Sequence, residues 1–93
     1  MRTIKYTNKF KKDYKREKAG QLAKKVESLL NETTDLLKVD IPLPDRYSDH
    51  QLSGNLGDCR ECHIRPDLLL IYRKPDDSTL ELVRLGSHSE LFG

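Results

Sequence analysis

The sequence predicts an α+β domain with the element order β-α-α-β-β-β, in which a helical hairpin covers one face of a small, mainly antiparallel twisted sheet. Two helical patterns follow a short alternating stretch near the start of the chain. Three strand-like stretches then occupy the second half. Because 93 residues suffice for one hydrophobic core, we expect residues 1–93 to form a single domain.

The first strand and the first helix lie before Gly20. Polar and apolar residues alternate over residues 2–6, which is typical of a short strand. Thr7 or Asn8 can cap the helix that follows. Aromatic residues four positions apart give that helix an apolar face, and Gly20 is expected to end it.

The second helix is predicted over residues 21–37. One apolar stripe at helical spacing predicts it, formed by Leu22, Val26, Leu29, Leu30 and Leu37. Two consecutive helices joined at Gly20 indicate an αα-hairpin whose apolar faces need a sheet to cover.

The second half begins with an irregular connection and continues with three strands. Pro42 and Pro44 stop any further helix, so the stretch IPLPDRYSDHQLSGNLGD is expected to be a long loop, of a kind that often carries function. Strands are predicted over residues 59–64, 68–73 and 79–85.

Charge is distributed unevenly along the chain. Residues 1–38 hold 11 Lys/Arg against 5 Asp/Glu, whereas residues 39–93 hold 6 against 10. Lys9, Lys12 and Arg16 lie one turn apart on the first helix, where they form either a solvated face or a contact with RNA. No apolar stretch reaches membrane-spanning length and no signal peptide is present. We therefore expect a cytoplasmic protein with reduced cysteines and no membrane partner.

The segment CRECH, from Cys59 to His63, matches the C-x-x-C-H pattern of haem attachment. Haem attachment needs export, and the chain's one methionine, Met1, is no candidate axial ligand, so we expect no haem. A redox pair normally opens a helix, whereas this strand pattern sends the two cysteines to opposite faces. A zinc site needs further suitably spaced ligands. We therefore interpret the cysteines as two buried or half-buried thiols.

Three histidines and one aspartate are the candidate reactive groups. His50 lies in the long loop, His63 lies in the strand predicted after it, Asp67 follows a proline in the next turn, and His88 lies near the end of the chain. Imidazoles transfer protons near neutral pH. A fold that brought these four side chains together would provide acid-base chemistry.

The second half also carries extended motifs. SDHQLSGNLGDCRECHIRPDLLLIYR followed by LELVRLGSHSELF resembles the YafQ branch of the RelE superfamily of bacterial toxins. That branch shows D-H-x-L-S-G, then R-x-C-H-I-x-P-D-x-L-L-I-Y, then L-x-R-x-G-S-H-S-x-L-F. The resemblance implies a RelE-like fold and an endoribonuclease toxin that cuts messenger RNA on the ribosome and is held inactive by a cognate antitoxin.

The resemblance also implies site residues. Carried over position by position, it points to His50, His63, Asp67, Arg84, His88 and Phe92. Metal-free RNA cleavage uses the ribose 2′-OH as nucleophile, so it needs a base, an acid and a cation for the charged intermediate. Histidine, carboxylate and arginine meet those needs, and we expect no metal ion and no other cofactor.

Each of these residues also has a structural interpretation. A lone histidine is often a hydrogen-bonded surface group, and Asp67 after a proline is often a turn residue. Arg84 either clamps a phosphate or pairs with a neighbouring carboxylate. Phe92 either packs in the core or stacks on a base.

Two other functions remain open at this point. A ParE-like relative on the same fold would inhibit a DNA topoisomerase, although that branch lacks this histidine set. A non-catalytic RNA- or antitoxin-binding module would tolerate loss of every histidine.

Overall fold

The computed structural model describes residues 1–20 and 23–93 as three α-helices and a five-stranded sheet. In chain order the elements are β1 (Thr3–Tyr6), α1 (Asn8–Lys18), α2 (Ala23–Lys38), β2 (His50–Gln51), β3 (Arg60–Arg65), β4 (Leu68–Arg73), β5 (Thr79–Gly86) and α3 (His88–Phe92). Single 3₁₀ turns at Asp45–Tyr47 and Gly54–Leu56 lie in the long connection between α2 and β3.

The sheet has the order β1-β5-β4-β3-β2. β1 runs parallel to β5, and the other neighbouring pairs are antiparallel. The α+β class and the mainly antiparallel sheet are therefore confirmed. The prediction of four strands was wrong, because β2 lies inside the stretch that we expected to be irregular. Two residues are too few to show alternation, and β2 exists only through its pairing with β3.

Helices α1 and α2 agree with the prediction apart from their ends, whereas α3 was not predicted. Thr7 caps α1 and accepts a hydrogen bond from Phe10 N at 3.0 Å. α1 ends at Lys18 with Ala19 as its C-cap, before the predicted Gly20. The predicted start of α2 at residue 21, with the first residue of its apolar stripe at 22, lies outside the described residues.

The helical hairpin packs on one face of the sheet, as predicted. Thirteen buried residues form this core: Phe10, Val26, Leu30, Leu37, Tyr47, Cys62, Ile64, Leu68, Leu70, Tyr72, Leu80, Leu82 and Leu85. Leu29, also predicted to face inward, is partly buried against it. Consecutive strand residues point to opposite faces, so the side chains on either side of Cys62 in β3 point away from this core.

Both cysteines are free and buried, which confirms their interpretation as buried thiols. Burial raises the pKa of the Cys59 thiol to about 11, and burial also raises the pKa of the Cys62 thiol. Because the thiolate is the reactive form, neither cysteine is primed for redox chemistry at neutral pH.

Candidate active site

The three histidines converge on one buried carboxylate, that of Glu61. Its Oε1 lies 3.7 Å from Nε2 of His50, 3.5 Å from Nε2 of His63 and 4.0 Å from Nε2 of His88. The Glu61 side chain is 5% exposed, whereas those of His50 and His88 are more than half exposed. The cluster is therefore open to solvent and substrate on the side of the imidazoles and closed behind the carboxylate.

Strand pairing brings two of the imidazoles to Glu61. His63 follows Glu61 by two residues on β3, so both side chains point to the same face. His50 on β2 lies directly opposite Glu61 in the antiparallel register. Cross-strand partners have Cβ atoms about 5 Å apart, which is why the short β2 suffices to place His50.

The segment before β2 fixes the orientation of His50. Ser48 has a left-handed backbone conformation, φ 47°, and its carbonyl oxygen lies 2.7 Å from Nδ1 of His50. Since a carbonyl can only accept, Nδ1 carries the hydrogen and Nε2 is left facing Glu61. Asp49 is held in turn by Tyr72, whose hydroxyl donates to Oδ1 at 2.6 Å, and by the guanidinium of Arg60.

The third imidazole is supplied by α3. Ser87 caps this helix, and Glu90 completes a capping box by accepting from the Ser87 N–H at 2.8 Å. His88 is the first residue of the helix, and its ring centroid lies 5.8 Å from that of His63. Phe92, 49% exposed, lies one turn further on with its ring 6.1 Å from that of His88. This position makes Phe92 an exposed ring beside the cluster, so the core-packing alternative was wrong.

Glu61 is the residue that the sequence analysis missed. In the C-x-x-C-H pattern Glu61 is one of the two unspecified positions between the cysteines, although strand alternation puts it on the same face as His63. A glutamate in a strand is a weak signal by itself, because most charged strand residues face solvent. Pairing it with a histidine two residues away would have identified it.

Asp67 lies apart from the cluster, in the exposed turn between β3 and β4. Within residues 1–20 and 23–93 it makes no ion pair or side-chain hydrogen bond with a histidine. It lines a groove of about 640 Å³ together with Arg65, Ser87 and Ser89, which connects it to the α3 side of the site. Its part in acid-base chemistry remains a prediction.

The guanidinium of Arg84 forms an ion pair with the carboxylate of Asp13. Its Nε donates to Oδ2 of Asp13 at 2.7 Å and its Nη2 to Oδ1 at 3.1 Å. This contact is the carboxylate pairing considered above as the alternative to a phosphate clamp. The clamp remains a prediction, and it would require Arg84 to serve both partners or to exchange one for the other.

The three cations predicted to bind RNA differ in their surroundings. Lys9 and Lys12 are exposed on α1, and neither makes an ion pair in the described part of the chain. Arg16, by contrast, contacts three carboxylates, those of Asp13, Glu17 and Glu90. The expected row of three free cations is therefore reduced to two.

Arg46 and Arg65 are cations that the sequence analysis did not single out. Both line a groove of about 470 Å³ beside His63. Arg46 lies 3.5 Å from Glu32 and stacks over Tyr47. Arg65 makes no ion pair among the described residues, and it is also part of the groove that contains Asp67. Two arginines thus flank the side of the cluster where a nucleic-acid backbone could pass.

Comparison with known proteins identifies the family. A protein-family model described as a bacterial toxin of type II toxin-antitoxin system, YafQ, matches residues 2–93. The mRNA interferase toxin YafQ of Escherichia coli (strain K12) is 38% identical over 92 residues, which cover 99% of this chain and 97% of that protein. The chain belongs to the YafQ toxin family.

Solved structures of other bacterial toxins share this fold. A copper-bound mutant toxin from Helicobacter pylori superposes with a TM-score of 0.90 at 40% identity, covering 99% of this chain and all of that one. The E. coli DinJ-YafQ complex matches with a TM-score of 0.82 at 33% identity over all of both chains. The RelE-like fold expected from the motifs is confirmed.

Part of the cluster also has the composition of a metal site. Glu61, His63 and His88 each offer one ligand atom, and the three atoms lie within 4.8 Å of one another. Imidazole nitrogen with one carboxylate oxygen suits Zn²⁺, Cu²⁺ and related ions. The donor set therefore fits a transition-metal ion held by three side chains with positions left for water or substrate.

The helices of this YafQ-family toxin are short and polar. Across the described ranges, 1–20 and 23–93, none combines the length and apolar character needed to cross a bilayer.

Proposed function

We propose that this toxin is a ribosome-dependent endoribonuclease that cleaves translated messenger RNA by attack of a ribose 2′-OH on the adjacent phosphorus. The convergence of three imidazole Nε2 atoms on Glu61 carries the proposal, since it places several proton-transfer groups side by side. Family membership makes the protein a toxin of a type II system, and curated relatives are mRNA interferases.

His50 is best suited to the role of general base. The Ser48 carbonyl holds the hydrogen on Nδ1, so the neutral ring presents an acceptor at Nε2. A base must bring that lone pair within hydrogen-bond reach of the 2′-OH. Having Nε2 next to a buried carboxylate also stabilises the imidazolium that forms once the proton has been taken.

His63 and His88 are the candidates for the acid that protonates the leaving 5′ oxygen. Their rings lie edge to face at 5.8 Å, and Glu61 is within 4.0 Å of both. Either ring can deliver a proton from Nε2 if that atom comes within hydrogen-bond reach of the leaving oxygen. In this proposal Asp67 assists from the neighbouring groove.

RNA binding in this proposal uses stacking and cations. Phe92 offers an exposed ring beside His88 on which a base can stack, a contact worth about 1 to 3 kcal/mol per base. Arg65 supplies a cation near the scissile phosphate. Arg84, which is paired with Asp13, is a second cation. Lys9 and Lys12 provide phosphate contacts further away.

The partners follow from the target and from the family. Cuts within reading frames require that the toxin meets the messenger RNA on the ribosome. We therefore propose that the protein acts in the cytoplasm on ribosome-bound mRNA. Because a related YafQ forms a complex with DinJ, we propose that a cognate antitoxin binds this toxin and holds it inactive. The whole of residues 1–93 serves as one toxin domain.

The alternative functions do not require the cluster of histidines around Glu61. A ParE-like topoisomerase inhibitor or a non-catalytic RNA- or antitoxin-binding module has no use for three imidazoles around one carboxylate. Placing four ionisable groups in contact costs stability when they are not paired and hydrogen-bonded, and the catalytic hypothesis gives a reason for that cost.

The deciding experiment is primer extension on a message translated in extract, with purified toxin added. We expect cuts within the reading frame and little cutting of the same RNA when it is not translated. A single deoxyribose just 5′ to a cut should block that cut, because the nucleophile is removed from the substrate. Products should end in a 2′,3′-cyclic phosphate or 3′-phosphate and a 5′-hydroxyl.

Histidine variants provide the internal control. His50→Ala, His63→Ala and His88→Ala should each slow cleavage by about 10²- to 10⁴-fold if the residue acts as acid or base, while ribosome binding changes far less. Cleavage at wild-type rates by all three variants would overturn the histidine mechanism, whereas no cleavage by the wild-type toxin would return the protein to the class of binding modules.

A second candidate property is metal binding by Glu61, His63 and His88. It is favoured by the fit of these ligand atoms and by the copper-bound relative. A bound ion would act as a Lewis acid, but it would also take the nitrogen lone pairs that proton transfer requires. We therefore propose that metal binding inhibits cleavage.

A further inference from the structure

The helix that carries His88 is too short to be stable by itself. α3 has five residues, and isolated helices well over twice that length are marginal in water. Its two rings at the active site, those of His88 and Phe92, are both exposed, so burial of those side chains does not anchor it either. The position of His88 must be fixed by contacts elsewhere in the helix.

The carboxylate of Glu90 makes two such contacts, one within α3 and one with α1. Its Oε1 accepts from the Ser87 N–H at 2.8 Å within the capping box, which is local to α3. Its Oε2 lies 3.0 Å from Nε of Arg16, a residue of α1. The carboxylate therefore links the first turn of α3 to another element through its second oxygen.

Arg16 is itself tied to the scaffold. Its Nη2 donates to the carbonyl oxygen of Leu85 at 2.8 Å, and its Nη1 donates to Oδ1 of Asp13 at 3.1 Å. Asp13 is buried, and its Oδ2 accepts from the Leu85 N–H at 3.0 Å. The guanidinium is thus held against β5 at the point where the chain leaves the sheet for α3.

Gly86 leaves the room for this arrangement. A Cβ at that position would lie 2.7 Å from Nη2 of Arg16 and 3.1 Å from Oε1 of Glu90. Both distances are shorter than ordinary contacts, so any larger residue would displace the guanidinium or the carboxylate. We call the Arg16–Glu90 ion pair the clamp. It lies directly over Gly86, the last residue of β5, two residues before His88.

We propose that Arg16 and Glu90 are positioning residues that hold His88 at the active site by clamping α3 to β5. The inference rests on the proposed role of His88 in RNA cleavage. It gives Arg16 a role different from RNA contact, because its guanidinium is already shared among three carboxylates and a carbonyl oxygen.

The clamp matters because acid-base catalysis is sensitive to small displacements. A shift of about 1 Å in a reacting group can cost about 10²-fold in rate. His88 reaches Glu61 at 4.0 Å, the longest of the three imidazole contacts, and it alone among the three histidines lies outside the sheet.

The test compares Arg16→Met and Glu90→Ala with the matched control Lys15→Met. Lys15 is an exposed cation on the same helix, and it has no role in the proposed site. Single-turnover cleavage on programmed ribosomes is measured with saturating toxin, and ribosome binding is measured separately. We expect Arg16→Met and Glu90→Ala to slow cleavage by about 10-fold, with binding and the control rate unchanged.

Two further variants separate positioning from other effects. In a His88→Ala background Arg16→Met should cause no additional loss, because Arg16 acts through His88. Glu90→Gln keeps an acceptor for the Ser87 N–H but loses the charge facing Arg16, so it should show a smaller loss than Glu90→Ala. The imidazole NMR signals of His88 should shift in both Glu90 variants.

The outcomes are distinguishable. If Arg16→Met weakens ribosome binding while the saturated rate stays at the wild-type value, Arg16 contacts RNA and the inference is overturned. A wild-type rate and unchanged His88 signals in folded Glu90→Ala also overturn it, whether or not Arg16→Met folds. If His88→Ala itself cleaves at the wild-type rate, the proposed role of His88 fails, and the positioning inference fails with it.

Discussion

The carboxylate of Glu61 lies 3.5 Å from Nε2 of His63, two residues further along the same strand. All three of its imidazole contacts are between 3.5 and 4.0 Å, longer than a good hydrogen bond. The buried charge of Glu61 is therefore poorly compensated in the absence of an imidazolium. Such an arrangement is costly for folding and useful for proton transfer.

The first prediction separates those two effects with Glu61→Gln. The amide keeps the size of the side chain but removes the charge that stabilises an imidazolium, so cleavage should slow by about 10- to 100-fold. Stability at a pH where the imidazoles are neutral should stay level or rise, because the buried carboxylate then has no charged partner. Single-turnover cleavage and urea unfolding measure the two quantities. Asp77→Asn, at an exposed position before β5 where no ion pair is made among the described residues, is the control and should change neither. A large loss of stability in Glu61→Gln would contradict this account of the site.

The second prediction concerns Asp13, which joins α1 to β5 through Arg84. Burial acts to raise the pKa of the Asp13 carboxyl, but the hydrogen bonds from Arg84 and the Leu85 N–H and the charges of Arg84 and Arg16 outweigh it, so the pKa is lowered. A lowered folded-state pKa stabilises the protein above the unfolded value of about 4, and that contribution is lost as pH falls through the folded value.

Asp13→Asn should therefore destabilise the protein most at neutral pH, by about 3 to 5 kcal/mol, because it leaves the Arg84 charge without its buried partner. Urea unfolding of wild type and variant at pH 7, 5 and 3 measures the difference. The two proteins should differ equally at pH 7 and 5, and the difference should be smaller at pH 3, because the contribution begins to be lost below the unfolded pKa of about 4. A difference that stays constant down to pH 3 would mean that Asp13 is not ionised in the folded state.

The third prediction concerns metal ions. Cleavage should persist in EDTA, and Cu²⁺ or Zn²⁺ should inhibit it reversibly, because the ion takes the same nitrogen atoms that transfer protons. Calorimetry should show binding to the wild type and its loss in His63→Ala, one of the three grouped ligands. His50→Ala is the matched control, since His50 is not part of that group and should still bind metal. A strict requirement for a divalent ion would overturn the metal-free mechanism.

The sequence predicted the scaffold better than the site because different signals report on them. Phe10, Val26 and Leu70 face the core because of helical and strand periodicity, which is a local property of the chain. The contact of His50 with Glu61 depends on β2, a strand of two residues that pairs with β3 across the irregular residues 52–59. No local pattern records that pairing.

Arg16 shows that a local pattern can also group residues whose surroundings differ in the folded protein. On the helix pattern it belonged with Lys9 and Lys12 in one cationic row, and periodicity could not show that its guanidinium meets Glu90, which is 74 positions away. Long-range ion pairs depend on how the elements dock. Imidazole chemistry made His50, His63 and His88 candidates, but only the resemblance to known toxins indicated that they belong to one site.

The last prediction concerns Lys9 and Lys12, the two members of the predicted cationic row that make no ion pair among the described residues. Lys9 and Lys12 are exposed and one turn apart on the side of the hairpin that faces solvent, so they can each meet an RNA phosphate. Each phosphate contact releases condensed counterions, and its loss lowers the slope of log binding constant against log salt by about 1. Lys9→Met/Lys12→Met should therefore weaken ribosome binding and reduce that slope by about 2, while the rate at saturation is retained. Lys24→Met/Lys25→Met, which removes the same charge from exposed positions of α2, controls for net charge. If both double variants lower the slope equally, the attraction comes from the overall charge of the helical half, and the α1 face makes no specific contact with RNA.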